Sequence, residues 1–391
     1  MRRTRTTAVL LALALLVCFC SSSVLAASTQ QRQQQRELSQ QFHDDASLSA
    51  EASFLSFQRT FNRSYATSSE SARRLGIFSR NLAWIRSHNA ERYAKGLSGY
   101  AMAVNDFADL SYNEWRTMIQ GPKAARRNMQ QRREYMEQLQ REHELHRQAQ
   151  LKLEQKQERS STPTTVRRQQ QMQRRKSDDL NLDWRLRNAV TPIKNQVGCN
   201  GAYAFGAVAA IEGAHALQHT DKYGNATRLQ ALSEAQVIDC SYKQGNQGCD
   251  GGSVLGAFQY AMINSTLPGG GGGGLDRQSD YPFHGDEGWC RSSRFTPVAN
   301  LSSFVVLEPG NESALVDAVA NAGPVAVYID SSQQAWQFYS MGILDDDTCG
   351  TVVDHALAVI GYGVDDGKTN MPYFIIKNSC QWHFLAAMNR R

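Results

Sequence analysis

Six of the chain's eight cysteines fall between residues 199 and 380, and the other two, Cys18 and Cys20, sit in an apolar run near the N-terminus. That run, Ala8 to Cys20, follows Arg2, Arg3 and Arg5 and precedes Val24-Leu25-Ala26, the layout of a secretory leader over residues 1–26. It is well short of the ~20 apolar residues a spanning helix needs. A leader retained as an anchor is the alternative. A chain routed this way meets an oxidising compartment in which disulfides persist. Cys199, Cys240, Cys249, Cys290, Cys349 and Cys380 form an even set, so the C-terminal half of the chain is the part that bridges would staple. The expected location is the secretory pathway, ending in a lysosome-like compartment or outside the cell, with no membrane attachment after leader removal. Asn62, Asn225, Asn264, Asn300 and Asn311 each open an Asn-x-Ser/Thr triplet, which fits glycosylation on that route.

The formal charge of +5 belongs to one segment. Residues 121–178 hold 15 Lys and Arg against 7 Asp and Glu, so the remainder of the chain is slightly acidic. Neither part shows a nucleic-acid-binding motif on a basic face, and no nucleic-acid partner is expected. Residues 27–48 are rich in Gln, Arg and Ser and read as disordered. Residues 121–179 read as a basic linker, either a solvated helix or an unstructured tether, with a partner-binding coiled coil as the other option. Its Arg126-Arg127, Arg132-Arg133, Arg167-Arg168 and Arg174-Arg175 pairs are candidate processing sites. The glycine run at 269–274 lacks the Lys-Ser/Thr and following helix of a phosphate cradle and reads as a surface loop.

Between these lie two patterned regions. In residues 49–120, Phe54, Phe57, Phe61 and Tyr65 recur at three- and four-residue intervals, one face of a helix. Glu70, Arg74, Phe78, Asn81, Ile85 and Asn89 do the same over a second helix, 70–89. From residue 180 a glycine-rich, helix-bearing part runs to about Asp286 and a β-rich part follows. There Val298–Leu307, Pro324–Ile329, His355–Tyr362 and Tyr373–Lys377 are β-branched or aromatic runs bounded by turn residues, hence expected strands.

The second helix carries a resemblance. Glu70-x3-Arg74-x3-Phe78-x2-Asn81-x3-Ile85-x3-Asn89 matches every position of the ERFNIN motif of papain-family propeptides. Asn105-Asp106-Phe107-Ala108-Asp109 resembles the second motif of those propeptides, with Ala103 where glycine is usual. Downstream, Gln196 to Phe205 resembles the segment around the papain-family nucleophile. Leu232-Ser233-Glu234, Asp239-Cys240-Ser241, Gly248-Cys249-Asp250-Gly251-Gly252, Tyr281-Pro282 and Gly323-Pro324-Val325 extend the match over about 210 residues, as do Asp354-His355-Ala356 and Lys377-Asn378-Ser379. The resemblance implies an α+β, papain-like two-lobed fold with a helical left lobe and a β-barrel-like right lobe, spanning 180–391. A small α-helical inhibitor propeptide precedes it, whose following chain runs backwards through the cleft. It implies Cys199–Cys249 and Cys240–Cys290 bridges, Gly251 and Gly252 lining the peptide cleft, Gln196 as an oxyanion donor, His355 as base and Asn378 as its orienter. No metal or cofactor is implied.

The departures sit at the centre of the motif. Asn200 replaces glycine, Gly201 replaces serine or alanine, and Ala202 stands where the nucleophilic cysteine belongs. A methyl group has no lone pair and no acidic proton, so acylation there is excluded. The expectation is a pseudoprotease that binds peptide, its own propeptide, an active papain-like protease or a protease inhibitor. The alternatives are an active protease using Cys199 and an inhibitor acting through residues 49–119 on an active relative. After Ser379 the family's Trp-Gly is replaced by Cys380-Gln381-Trp382-His383, and the closing strands are missing, so a truncated β-part with unpaired edges is expected. A Cys349–Cys380 bridge is open.

Overall fold

The computed structural model describes residues 47–125, 129–158, 181–263, 274–346, 348–350, 353–365, 370–379 and 385–389. The leader, nearly all of 27–48, most of the glycine run, Asn264, Cys380, Trp382 and the arginine pairs at 126, 167 and 174 lie outside them. No helix among the described residues is long and apolar enough to cross a membrane. The chain divides into two units, residues up to 87 with 103–109, and residues 88–102 with 110–391.

In the first unit, helix α1 (Ala50–Thr60) starts where the Ser49 hydroxyl accepts the Ala52 N–H. It ends at Phe61, so Tyr65 lies beyond it rather than on its face, yet the Tyr65 ring still stacks on Phe54 at 5.9 Å. Helix α2 (Ser68–His88) runs two residues longer at its start than its apolar spacing marks, because Thr67 caps the Glu70 N–H. Four of its motif residues have a visible physical task. Phe78 packs on Phe54 and Phe57 at 5.3 and 5.1 Å. Arg73 and Arg74 hold the Glu70 carboxyl down to about 2. Arg74 passes on to the Asp109 carbonyl at 2.9 Å, and Asn81 donates to the Ala108 carbonyl at 2.9 Å. Buried side-chain donors thus satisfy a non-helical backbone that has no ladder partner.

In the second unit a π-helical turn, Asn89–Tyr93, leads to β1 (Tyr100–Met102). The Asn89 amide exchanges bonds with Met102 N–H and C=O at 2.9 and 2.8 Å, standing in for a paired strand. Helix α3 (Tyr112–Ala125) opens with a capping box in which Ser111 and Glu114 satisfy each other's backbone N–H. Helix α4 (Met129–Glu158) occupies half of the segment read as a linker.

Strand β2 (Leu182–Asp183) precedes helix α5 (Ala202–Leu217), which is buried along nearly its whole length. Gly206 and Gly213, two turns apart on one face, explain how close it comes to its neighbours. A Cβ on Gly206 would meet the Leu357 carbonyl oxygen at 3.3 Å, and one on Gly213 would meet Pro324 at 2.3 Å. Helices α6 (Glu234–Cys240), α7 (Val254–Ile263) and α8 (Glu312–Ala322) follow, the last capped by Asn311. Then come β3 (Val325–Ile329), the short α9 (Ala335–Phe338), β4 (Tyr339–Leu344), β5 (His355–Val364), β6 (Pro372–Lys377) and β7 (Leu385–Asn389). One sheet carries them in the order β1-β4-β7-β6-β5-β2, with β3 paired to β5.

Two expectations about strands are corrected. Residues 298–307 form no strand; among the described residues their one β-bridge joins Ala299 to Leu275, and Phe304 is held instead by the Phe258 ring at 5.4 Å. The edges expected to be bare at the C-terminus are not: β7 runs antiparallel to β6 and parallel to β4, so both find a ladder partner.

A buried ionic cluster ties the two parts of this unit. The Lys194 ammonium lies 2.7 Å from Glu212 and 2.6 Å from Glu234, and donates to the Leu232 carbonyl at 2.8 Å. Lys377 from β6 reaches Thr191 at 2.8 Å and stands 3.8 Å from Glu212. Burial pulls the Lys194 ammonium down, but the two carboxylates outweigh it and hold it above its ordinary value. Burial pushes Glu234 up, whereas Lys194 and Lys377 overcome the same effect at Glu212 and lower it.

Candidate active site

Ala202 is the first residue of α5, with Gly201 before it making no side-chain cap. The first-turn N–H groups of a helix have no intrahelical acceptor and carry partial positive charge, so this is where an anion or thiolate would be stabilised. The Ala202 methyl is buried and shares a cluster with Ala356, the residue after His355.

Cys199 is bonded to Cys249, and Cys240 to Cys290, each closing a separation of 50 residues. A bridge of this kind typically contributes about 2–4 kcal/mol. The first brings the loop before α5 against Gly251 and Gly252. Gly251 has φ +117°, and a Cβ there would lie 2.8 Å from Asn200 Nδ2, while one on Gly252 would lie 2.5 Å from Asn246 Oδ1. Asn200, present where glycine was expected, turns its amide to the Asp250 carbonyl at 3.4 Å. Cys349 is exposed; its bridge to Cys380 falls outside the described residues.

His355, Asn378 and Gln196 are joined by bonds that pass through Ser379. His355 Nε2 lies 2.7 Å from Asn378 Oδ1. The Ser379 N–H also donates to that oxygen, at 2.8 Å, which identifies it as the acceptor. The neutral ring therefore carries its proton on Nε2 and keeps Nδ1 as the basic nitrogen. Ser379 then turns its hydroxyl to Gln196 Oε1 at 2.7 Å, and its carbonyl accepts the Gln196 backbone N–H at 2.8 Å. With its oxygen engaged, the Gln196 amide can present only donors. Ser379 was read only as part of a motif; its place beside Asn378 was visible, but its bond to a residue 183 positions away was not.

The donors are in use. Gln196 Nε2 gives to the Ile119 carbonyl at 2.8 Å and to the Cys199 carbonyl at 3.0 Å. Ile119 belongs to α3, whose neighbours on the next turn fasten to the residue before the histidine. Arg116 and Gln120 both reach Asp354 Oδ2, at 2.7 and 2.6 Å. The other oxygen, Oδ1, takes the Ser331 N–H and hydroxyl at 2.8 and 2.7 Å. Tyr112 donates to the Ser332 carbonyl, and Gln337 to the Leu110 carbonyl at 3.0 Å. A helical segment, not an extended one, thus lies across the Gln196–His355 region. Periodicity could mark Arg116 and Gln120 as one helix face, but not as ligands of Asp354.

Residues 179–385 match the papain family cysteine protease domain, and residues 54–115 match the cathepsin propeptide inhibitor domain (I29). Procathepsin L of Mus musculus is 34% identical over 337 residues, 86% of this chain and 84% of that one. Cathepsin L2 of Homo sapiens is 33% identical over 325 residues, 83% of this chain and 81% of that one. The structure of digestive procathepsin L 3 from Tenebrio molitor larval midgut superposes with a TM-score of 0.63 at 32% identity, covering 88% of this chain and 94% of that one. The digestive procathepsin L2 proteinase of the same midgut gives 0.64 at 26% identity, covering 88% and 95%. Fold and sequence agree that the chain belongs to the papain family of cysteine proteases and has the layout of a cathepsin L-like precursor.

Proposed function

We propose that this chain is a papain-family pseudoprotease: its cleft holds peptide segments, beginning with its own α3, and does not cut them. The observation that carries the reading is Ala202 at the start of α5, in a site that keeps the His355–Asn378 pair and the Gln196 donor. The base would have no thiol to deprotonate, and a methyl group cannot form an acyl intermediate. What survives is recognition: Gln196 and the first-turn N–H of Ala202 as donors to a peptide carbonyl, and Gly251 and Gly252 as a wall that lets backbone approach closely. Polypeptides, an active relative or a protease inhibitor are the partners that such a cleft fits. The leader-like N-terminus and the disulfides support a lysosome-like or extracellular site of action.

Cys199 as a substitute nucleophile is disfavoured by its bond to Cys249. The test is a fluorogenic dipeptide assay on protein freed of its propeptide, beside an Ala202→Cys variant. Expected is no turnover for the parent chain and measurable turnover for the variant. Parent turnover that a thiol-directed epoxide abolishes would overturn the reading.

A further inference from the structure

Helix α4 lies between the two matched regions, so neither the propeptide domain nor the protease domain accounts for it. It is not a free tether. Over its middle turns, residues at i, i+3 and i+7 of one face meet the β-rich part. The His146 ring lies flat on Phe304, with centroids 4.4 Å apart and planes at 9°. His143 packs on Tyr328 at 5.7 Å. Gln150 Oε1 accepts the Val306 N–H at 3.1 Å. Leu145 and Leu151 remain on its open side.

Tyr328 makes this contact consequential. It sits on β3 opposite Ala356, the neighbour of His355, and its hydroxyl accepts the Val254 N–H at 2.8 Å, two residues past Gly252. The ring that His143 covers therefore spans from the strand of the base to the end of the glycine loop. Phe304, under His146, rests on Phe258 of α7 from the same side.

We propose that α4 is a proton-released latch, closed on this wall of the cleft while His143 is neutral and opened when His143 takes up a proton. Two histidines line the contact, and His143 is taken as the titrating group because burial against Tyr328 opposes its charged form. Burial there disfavours the imidazolium and pulls its titration below the ordinary value; Glu142 opposes this and His146 adds to it. From β3 the group facing it is the Tyr328 phenol, already engaged with Val254, and from the 304–308 segment Glu308 acts on Arg147, which is paired with Glu144. In the released helix the histidine regains an ordinary value near ~6.5. The closed state thus binds the proton more weakly than the open one, so closure is complete above that pH and is lost as pH falls through it. A helix held by a few side chains over two turns is a local unit that can open without the rest of the fold. This inference does not depend on whether Ala202 abolishes cleavage.

The test is hydrogen–deuterium exchange of the full chain at pH 7.5 and 5.0, corrected for intrinsic rates, comparing peptides from residues 140–152 with peptides from α5. Expected is protection of 140–152 at pH 7.5 and clearly faster exchange at pH 5.0, the direction that a lowered histidine titration in the closed state requires. The α5 peptides should stay protected at both. His143→Phe, which keeps a ring on Tyr328, should remain protected at pH 5.0, and His143→Leu serves if the phenylalanine does not fold. Equal protection of 140–152 at the two pH values overturns the latch. So does acid loosening that persists in either variant, or loosening that occurs only together with α5.

Discussion

Gln196 gives its side-chain amide to the carbonyl oxygen of Ile119 at 2.8 Å, while Ser379 holds the other end of that amide at 2.7 Å. On the reading proposed above, the chain's own α3 therefore uses the donor that a bound peptide would need. Whatever enters the cleft must first displace it, and the strength of the bonds around Ile119 sets how readily that occurs.

Arg116 and Gln120 are the charged and polar ends of this hold on Asp354. A hydrogen bond to a charged group contributes about 1.5–3 kcal/mol, so Arg116→Ala should raise the fraction of open cleft about tenfold or more. The check is fluorescence anisotropy with a labelled synthetic peptide of residues 112–125 added to the full chain. Tighter binding by that factor is expected; unchanged affinity would show that Arg116 does not fasten α3.

A cysteine placed at 202 would sit at the start of α5 and, on the proposed reading, within reach of the basic Nδ1 of His355. Both favour thiolate, so the Ala202→Cys thiol should titrate well below the ordinary ~8.5. Iodoacetamide alkylation followed against pH, on protein freed of its propeptide, should show a rate plateau reaching below neutrality. Adding Asn378→Ala should slow peptide turnover by the variant, because His355 loses the bond that orients it.

Glu212 is the shared partner of Lys194 and, at 3.8 Å, of Lys377. Glu212→Gln leaves two buried ammonium groups with less compensating charge, a change that costs about 3–5 kcal/mol when a buried pair is broken. Urea denaturation should show a fall of that size, and a loss under 1 kcal/mol would mean that water reaches the cluster.

Asp276 is fully buried, and neither carboxylate oxygen has a partner among the described residues. Burial, with Asp280 nearby, pushes it up to about 6. A raised acid is most compatible with the fold when protonated. Its destabilising effect is therefore absent below about pH 4, the ordinary aspartate range, and grows as pH rises to about 6. Asp276→Asn should raise the melting temperature at pH 7.5 and leave it nearly unchanged at pH 4. An equal shift at both would rule out titration as the cause.

Asn81 donates to the Ala108 carbonyl from a buried position. Asn81→Ala leaves that carbonyl without its donor and should destabilise by about 1–3 kcal/mol. Thermal unfolding of the full chain checks it, and an unchanged transition would mean that another donor takes over.

Local order was largely legible in the chain itself. Helix faces, the strands around Val325–Ile329 and His355–Val364, and the alanine at 202 all follow from side chains within a few residues of one another. The run 298–307 was not, because β-branched composition describes a residue's preference and a strand also needs a partner alongside. Nor was β7, whose short sequence gains strand character only from the open edges of β6 and β4. The α3 contacts with Asp354 and the α4 contacts with Phe304 and Tyr328 join residues more than 150 positions apart. No spacing rule reaches that far.

The sequence alone determined that position 202 carries a methyl group and no nucleophilic atom, a covalent fact that no folding alters. The tertiary structure alone decided which groups meet: that Ser379 points Gln196, that Ile119 already fills its reach, and that a helix between two domains closes over Tyr328. Such pairings depend on how packed elements bring distant backbone together, and that is settled by the whole fold at once.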